Sequence, residues 1–333
     1  MTAKNDMLPT SALDHTTRTP RTKTPTVSVI IPTYHRPSEL IRCLRSLETQ
    51  TQPPDEIIVV HRLPGDEETA DAASSWATRH GVATRRVAIV SVPGVIAAME
   101  AGVQHARCDV VVLLDDDVEI HPDWLERATQ YYADPAVVGV GGRDIVSFDP
   151  SVPSRIVGKV TWYGRAIGNH QRGYGPARSV DALKGANMSM RREYCVFDHR
   201  LRGSGAQVHW EAQVCLRARR MGKVIVYDPA CTVDHYPAER YDEDRRHAPL
   251  RQARLNACHN ETYVLLTYLR WWQRIAYLLY TSLIGHRGNL AVARWIAGLL
   301  RGERATLRDH LIPSYQGKAA GIATWLRGMG SRG

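Results

Sequence analysis

Val110-Val111-Val112-Leu113-Leu114-Asp115-Asp116-Asp117 joins a short apolar run to three consecutive carboxylates. The run is β-branched and bounded by charge, the pattern of a strand buried on both faces. Neighbouring carboxylates repel one another and are costly to hold together without a counter-charge. At the C-terminal end of a buried strand they point to a divalent cation carrying phosphates. The competing reading is a solvated acidic turn that caps the next helix at Pro122-Asp123-Trp124-Leu125.

The chain before this junction alternates strand and helix signals. Val27-Ser28-Val29-Ile30-Ile31, Ile57-Ile58-Val59-Val60 and Val87-Ala88-Ile89-Val90 read as strands. Leu40, Ile41, Leu44 and Leu47 recur at helical spacing, and further helices are expected through Ala70 to Thr78 and Ile96 to His105. Strands separated by helices predict an α/β fold with a mostly parallel sheet. Ligands of such sheets sit beyond the carboxyl ends of the strands. Both Pro32-Thr33-Tyr34-His35-Arg36 and the aspartate triplet fall at such ends. No GxGxxG or GxxxxGK[ST] follows any of these strands, which argues against a dinucleotide site and a P-loop.

Composition narrows the classes further. The 333 residues suffice for one large α/β domain with an extension, or for two domains. Residues 1–25, rich in Thr, Pro, Lys and Arg without periodicity, read as a disordered tail, and no apolar stretch there resembles a secretory signal. The six cysteines form no CxxC pair, so free thiols in a reducing compartment are expected. A net charge of +9 fits nucleic acid, an anionic membrane or phosphorylated substrates. Without zinc-finger spacing or an aromatic-basic RNA-binding signature, nucleic acid is the least supported partner.

Downstream, Val137 to Gly142 reads as a strand, followed by a region rich in glycine and arginine. His209-Trp210-Glu211 precedes a helix bearing Val214, Leu216, Arg217 and Arg220. Val224 to Tyr227 and Cys231 to Val233 read as two strands, the second ending at Asp234-His235. In this order, VSVIIPTYHR (27–36), LLDDD (113–117), KGANMSMRR (184–192), WEAQVCLRARRMG (210–222) and VDH (233–235) resemble an inverting family 2 glycosyltransferase with the GT-A fold. The resemblance covers roughly residues 26–240.

It implies a GT-A-type nucleotide-sugar-binding domain over 26–240; beyond it, residues 241–333 read from their own pattern as a helical, basic, amphipathic C-terminal region. The resemblance implies that Pro32, Thr33, Tyr34 and Arg36 bind the nucleotide of a sugar donor, with Asp115 and Asp116 near the ribose and the waters of a Mg²⁺ or Mn²⁺ ion. Asp117 and His235 would ligate that ion. Glu211 would be the general base, because an inverting displacement needs one carboxylate to take the acceptor proton; a helix-start charge facing the dipole is the plainer alternative. Gly185 and Asn187 would lie near donor or acceptor sugar, and Trp210 would stack on an acceptor or pack in the core. Two departures stand out. The loop after the second strand, His61 to Asp66, lacks early acidic residues to read a base, and Met99-Glu100 stands where the family commonly carries Arg-Asn.

In the C-terminal region, Tyr263 to Ile284 is apolar but interrupted by Arg270, Gln273 and Arg274, a poor bilayer span. On a helix Thr267, Arg270, Arg274, Tyr277 and Thr281 would share one stripe, and Arg287, Arg294, Arg301 and Arg308, seven apart, another. Such helices suit an anionic membrane interface, or pack on the catalytic domain or on a second subunit of a homodimer. The expected activity is sugar transfer to a carbohydrate or lipid-linked acceptor at the cytoplasmic membrane face, in polysaccharide or glycolipid biosynthesis. The alternatives are a nucleotidyltransferase, which would want a glycine-rich phosphate loop, a retaining transferase, and a non-catalytic membrane adaptor.

Overall fold

The structure, a computed structural model, describes residues 24–78, 84–146, 152–243, 245, 251–302 and 307–330. The expected tail lies outside the described residues except for Thr24 and Pro25. The first part runs β1 (Val27–Thr33), α1 (Pro37–Glu48), β2 (Glu56–Arg62), α2 (Glu67–Ala77), β3 (Thr84–Val90), α3 (Val95–His105) and β4 (Val110–Leu113). β5 (Val118–Ile120), α4 (Trp124–Tyr131) and the long β6 (Val137–Val146) follow. β7 (Lys159–Val160) and β8 (Ala166–Ile167) pair as a small hairpin, and β9 (Arg178–Ser179) and β10 (Met188–Arg191) return to the main sheet. α5 (Trp210–Arg220) and β11 (Val224–His235) complete it. α6 (Arg251–Tyr268), α7 (Trp271–Leu283), α8 (Val292–Leu300) and α9 (Ile312–Gly330) form the C-terminal region.

The sheet order is β3-β2-β1-β4-β10-β6-β11-β5, with β9 paired to β11. β3, β2, β1 and β4 are parallel, as their alternation with helices demands. β10 then enters antiparallel between β4 and β6. The KGANMSMRR segment therefore ends in a central strand, and the sheet is mixed on that side. Apolar side chains of the sheet feed both faces. Ile30, Ile58, Val111 and Leu113 pack toward α3 and α5 on one side, while Val29, Ile31, Val112 and Leu114 meet α1 and α4 on the other. This double burial explains the near-continuous apolar runs.

β11 is a single strand where two were expected. Its register against β6 shifts between Asp228 and Val233, around Pro229, so an irregularity interrupts the apolar pattern without ending the strand.

The C-terminal region departs from its expected stripes. Arg270 is the N-cap of α7, so Thr267 and Arg274 sit on different helices. Arg287 lies between α7 and α8, Arg294 in α8, Arg301 at its C-cap and Arg308 near the start of α9, so the sevenfold arginine spacing spans separate segments. α6 is buried at every residue from Cys258 to Leu266 and packs against α9 and α5. Tyr277 and Thr281 of α7 face inward, while Trp271, Ile275, Leu279 and Leu283 face out. Among the described residues no helix is long and apolar enough to cross a membrane. The six cysteines are all free and buried.

Candidate active site

The aspartate triplet follows directly on β4 in the turn leading to β5. Asp116 and Asp117 are almost fully buried, which rules out the solvated turn. Each carboxylate has its own environment. Asp116 accepts from Arg36 Nη1 at 2.7 Å, and burial, against the pull of Arg36, pushes its carboxyl up to about 7. Asp117 accepts from the backbone N–H of Ala238 at 2.9 Å and lies 3.3 Å from His235 Nε2. Burial alone would raise Asp117, but these partners outweigh it and hold it well below the usual carboxylate range. Asp115 is raised by burial and by the neighbouring Asp117 charge.

Asp115, Asp117 and His235 each place one ligand atom within 4.8 Å of the others. Two hard carboxylate oxygens and an imidazole fit Mg²⁺ or Mn²⁺, and a cation there would relieve the repulsion that lifts Asp115. Asp117 and His235 were expected together; Asp115, expected at the ribose, joins them, while Asp116 turns to Arg36. The sequence reading missed the residue that orients His235. Asp144 on β6 lies 3.5 Å from His235 Nδ1 and forms an ion pair with Lys184. A carboxylate behind a ligating histidine fixes the ring and its tautomer. Burial would lower His235, but Asp117 and Asp144 overcome it and raise the ring to about 9.

The cleft beside the triplet is lined by Pro32, Thr33, Tyr34 and Arg36 from β1 and its loop, by Arg62, and by Arg240, Tyr241 and Asp242. The expected nucleotide residues therefore share one wall. The Arg62 guanidinium lies 3.3 Å over the Tyr34 ring and pairs with Asp242 at 3.2 Å. Arg36 also donates to the carbonyl of Glu239, so the segment after β11 is tied across the cleft. Asp66 is buried as the N-cap of α2 and receives the backbone N–H of His35 at 2.6 Å. It shapes the β1 loop and cannot face a base.

Glu211 lies in the first turn of α5, with a buried carboxylate oxygen that has no hydrogen-bond partner. Burial, with a smaller push from Asp115, lifts its carboxyl to about 7. The helix start is held from outside the main sheet. His209, its N-cap, has a left-handed backbone with φ of 76°. Its Nε2 lies 3.9 Å from Glu261 of α6, which also binds His286 at 2.9 Å. Asn260 accepts the backbone N–H of Arg202 and donates to the carbonyls of Arg202 and Val208, pinning the loop before α5.

Of the three residues expected near a sugar, Trp210 takes its core alternative, and Gly185 and Asn187 are corrected. Trp210 is 4 % exposed and packed with Phe197, so its indole is core and offers no open stacking face. Gly185 serves that packing: a Cβ there would come 2.5 Å from the indole. Asn187 is 1 % exposed, accepts from Trp124 Nε1 at 2.8 Å and donates to the carbonyls of Arg143 and Cys231. All three anchor the turn before β10, and none of the three offers a side chain to a sugar.

Residues 28–195 match the family model for glycosyl transferase family 2. A glucosyl-dolichyl phosphate glucuronosyltransferase of Haloferax volcanii is 26% identical over 227 residues, 63% of this chain and 68% of that one. The amylovoran biosynthesis glycosyltransferase AmsE of Erwinia amylovora is 29% identical over 136 residues, 39% of this chain and 48% of the relative. A mannosyltransferase of Pyrobaculum calidifontis, solved with GDP-Man and Mn²⁺, aligns with a TM-score of 0.55 at 17% identity, over 92% of this chain and 88% of that one. GalNAc-T7, solved with UDP, GalNAc and Mn²⁺, aligns at 0.62 and 14% identity, over 85% of this chain and 58% of that one. At these identities the solved structures establish the GT-A-like fold alone.

Proposed function

The chain belongs to glycosyl transferase family 2, and from that premise we propose that it is a metal-dependent inverting enzyme. It moves a sugar from a nucleoside diphosphate donor to a carbohydrate or lipid-linked acceptor in polysaccharide or glycolipid biosynthesis. The observation that carries this reading is Glu211: a carboxylate with an unpartnered oxygen, close enough to Asp115 to feel its charge. The nucleotide lies along Pro32, Thr33, Tyr34 and Arg36. Asp115, Asp117 and His235 would hold Mg²⁺ or Mn²⁺, and such a cation would supply positive charge against the departing diphosphate. Glu211 removes the acceptor hydroxyl proton as that oxygen attacks the anomeric carbon opposite the leaving group. The bond from carbon to diphosphate breaks, and the proton stays on Glu211. A carboxyl poised near neutrality suits that exchange.

Support for a position at the inner membrane face comes from the outward apolar side chains of α7 and α8, with arginines beside them. The β1 loop presents Tyr34, His35 and Arg36 where a nucleotidyltransferase would need glycines, so that alternative loses its phosphate cradle.

The test is product stereochemistry by NMR with a panel of nucleotide sugars and Mn²⁺. Inversion at the anomeric carbon, abolished by chelation and by Asp117→Asn, is expected. A retained anomer, or full turnover in excess chelator, overturns the reading.

A further inference from the structure

A groove of about 870 Å³ runs between the β7–β8 hairpin and α7 with the turn after it. Trp162 at the hairpin tip and Leu279, Leu283 and Ile284 line it, each more than half exposed. Tyr163 and Tyr280 meet edge to face across it at 4.9 Å. Arg165, Arg287 and Arg294 also line it, and none of its described lining residues is acidic.

A second cavity, of about 340 Å³, lies between this groove and the donor cleft. Arg202, Arg240, Arg245 and Arg254 line it, with Glu243, bonded to Asn256, as the single acid among the described lining residues. Arg240 lines the donor cleft as well. Gly288 lines this cavity too, next in the chain to His286 and Arg287 of the groove. His286 is in turn joined through Glu261 to His209, two residues before Glu211. Cleft, basic cavity and apolar groove thus form one track past the start of α5.

We propose that this track binds the acceptor as a lipid phosphate, with its phosphate among the arginines of the cavity and its hydrocarbon chain in the groove. The inference rests on the reading of the chain as a transferase and names its acceptor class. Arginine forks match phosphate oxygens, and a bare phosphate would have no use for the groove. A bilayer surface, by contrast, would have no use for a cavity that shares Arg240 with the donor cleft.

The experiment measures binding of farnesyl phosphate to the full chain below its micelle concentration, beside inorganic phosphate and farnesol. Saturable binding, at least tenfold tighter than either fragment, is expected. Leu279→Glu should weaken farnesyl phosphate at least tenfold while leaving phosphate unaffected; Arg254→Glu should weaken both phosphates. Thermal shifts with nucleotide sugars and Mn²⁺ on the same samples test the transferase reading separately. A donor response without saturable lipid phosphate binding overturns the track and leaves the transferase standing. Flotation with anionic phospholipid vesicles, without binding of monomeric farnesyl phosphate, also overturns it and assigns the groove to the bilayer. Saturable lipid phosphate binding without any donor response supports the track and counts against the transferase.

Discussion

His235 Nε2 lies 3.3 Å from Asp117 Oδ1, because His235, the last residue of β11, pairs with Val118, which follows Asp117 and opens β5. The contact depends on the far side of the ring. Asp144, at 3.5 Å from Nδ1, gives the imidazole its direction and leaves Nε2 for the carboxylate cluster.

Asp144→Asn should therefore act on the cation without touching it. Mn²⁺ affinity is expected to fall by about 10- to 100-fold, as for other carboxylates behind ligating histidines. Activity should return at high Mn²⁺, and product stereochemistry should not change. Titration of Mn²⁺ by electron paramagnetic resonance reads this directly; wild-type affinity would remove Asp144 from the site.

Glu211 gives a linked effect on rate and stability. Its carboxyl, raised to about 7, must be ionised to act as a base, so kcat should rise with pH and level off above neutrality. Stability runs the other way. A carboxyl whose folded value exceeds its unfolded value contributes fully below the unfolded value, and that contribution is lost as pH rises through about 7. Glu211→Gln should stabilise the fold by on the order of 1–3 kcal/mol near pH 8, and by only a small part of that near pH 5. Urea melts at the two pH values check it, and an equal gain at both would contradict the assignment.

α6 should matter to catalysis although it lies outside the family match. Asn260→Ala removes three hydrogen bonds to the loop before α5, taking partners from part-buried backbone groups at a cost of about 1–2 kcal/mol. Glu261→Gln weakens the hold on His209 with a smaller stability loss. Both should lower kcat while donor Kd stays near wild type, because the β1 side of the cleft is untouched. An effect on donor Kd alone would place α6 elsewhere in the function.

The parallel half of the sheet was legible because β1, β2 and β4 are β-branched runs buried on both faces, and the triplet because three carboxylates without a cation are unstable. β5 and β10 were not, since Val118–Ile120 and Met188–Arg191 are too short to carry a period and take their place only through pairing. Asp144 gave no signal, being a lone acid within a glycine-rich strand, with its partner ninety-one residues away. Asn187 and Trp210 looked like ligand contacts because polar and aromatic groups near a site are chemically the same whether they face a sugar or a buried carbonyl. Only packing separates the two. The arginine spacing misled for a related reason: a sevenfold pattern means one face only if the helix is continuous, and here turns interrupt it.

The most direct test of the account is the single-turnover rate of Glu211→Gln with saturating donor and Mn²⁺. The substitution keeps the size of the side chain and removes only its ability to accept the proton. Transfer is predicted to fall by about 10²- to 10⁴-fold with donor affinity unchanged. Transfer within a few-fold of wild type would show that another group takes the proton.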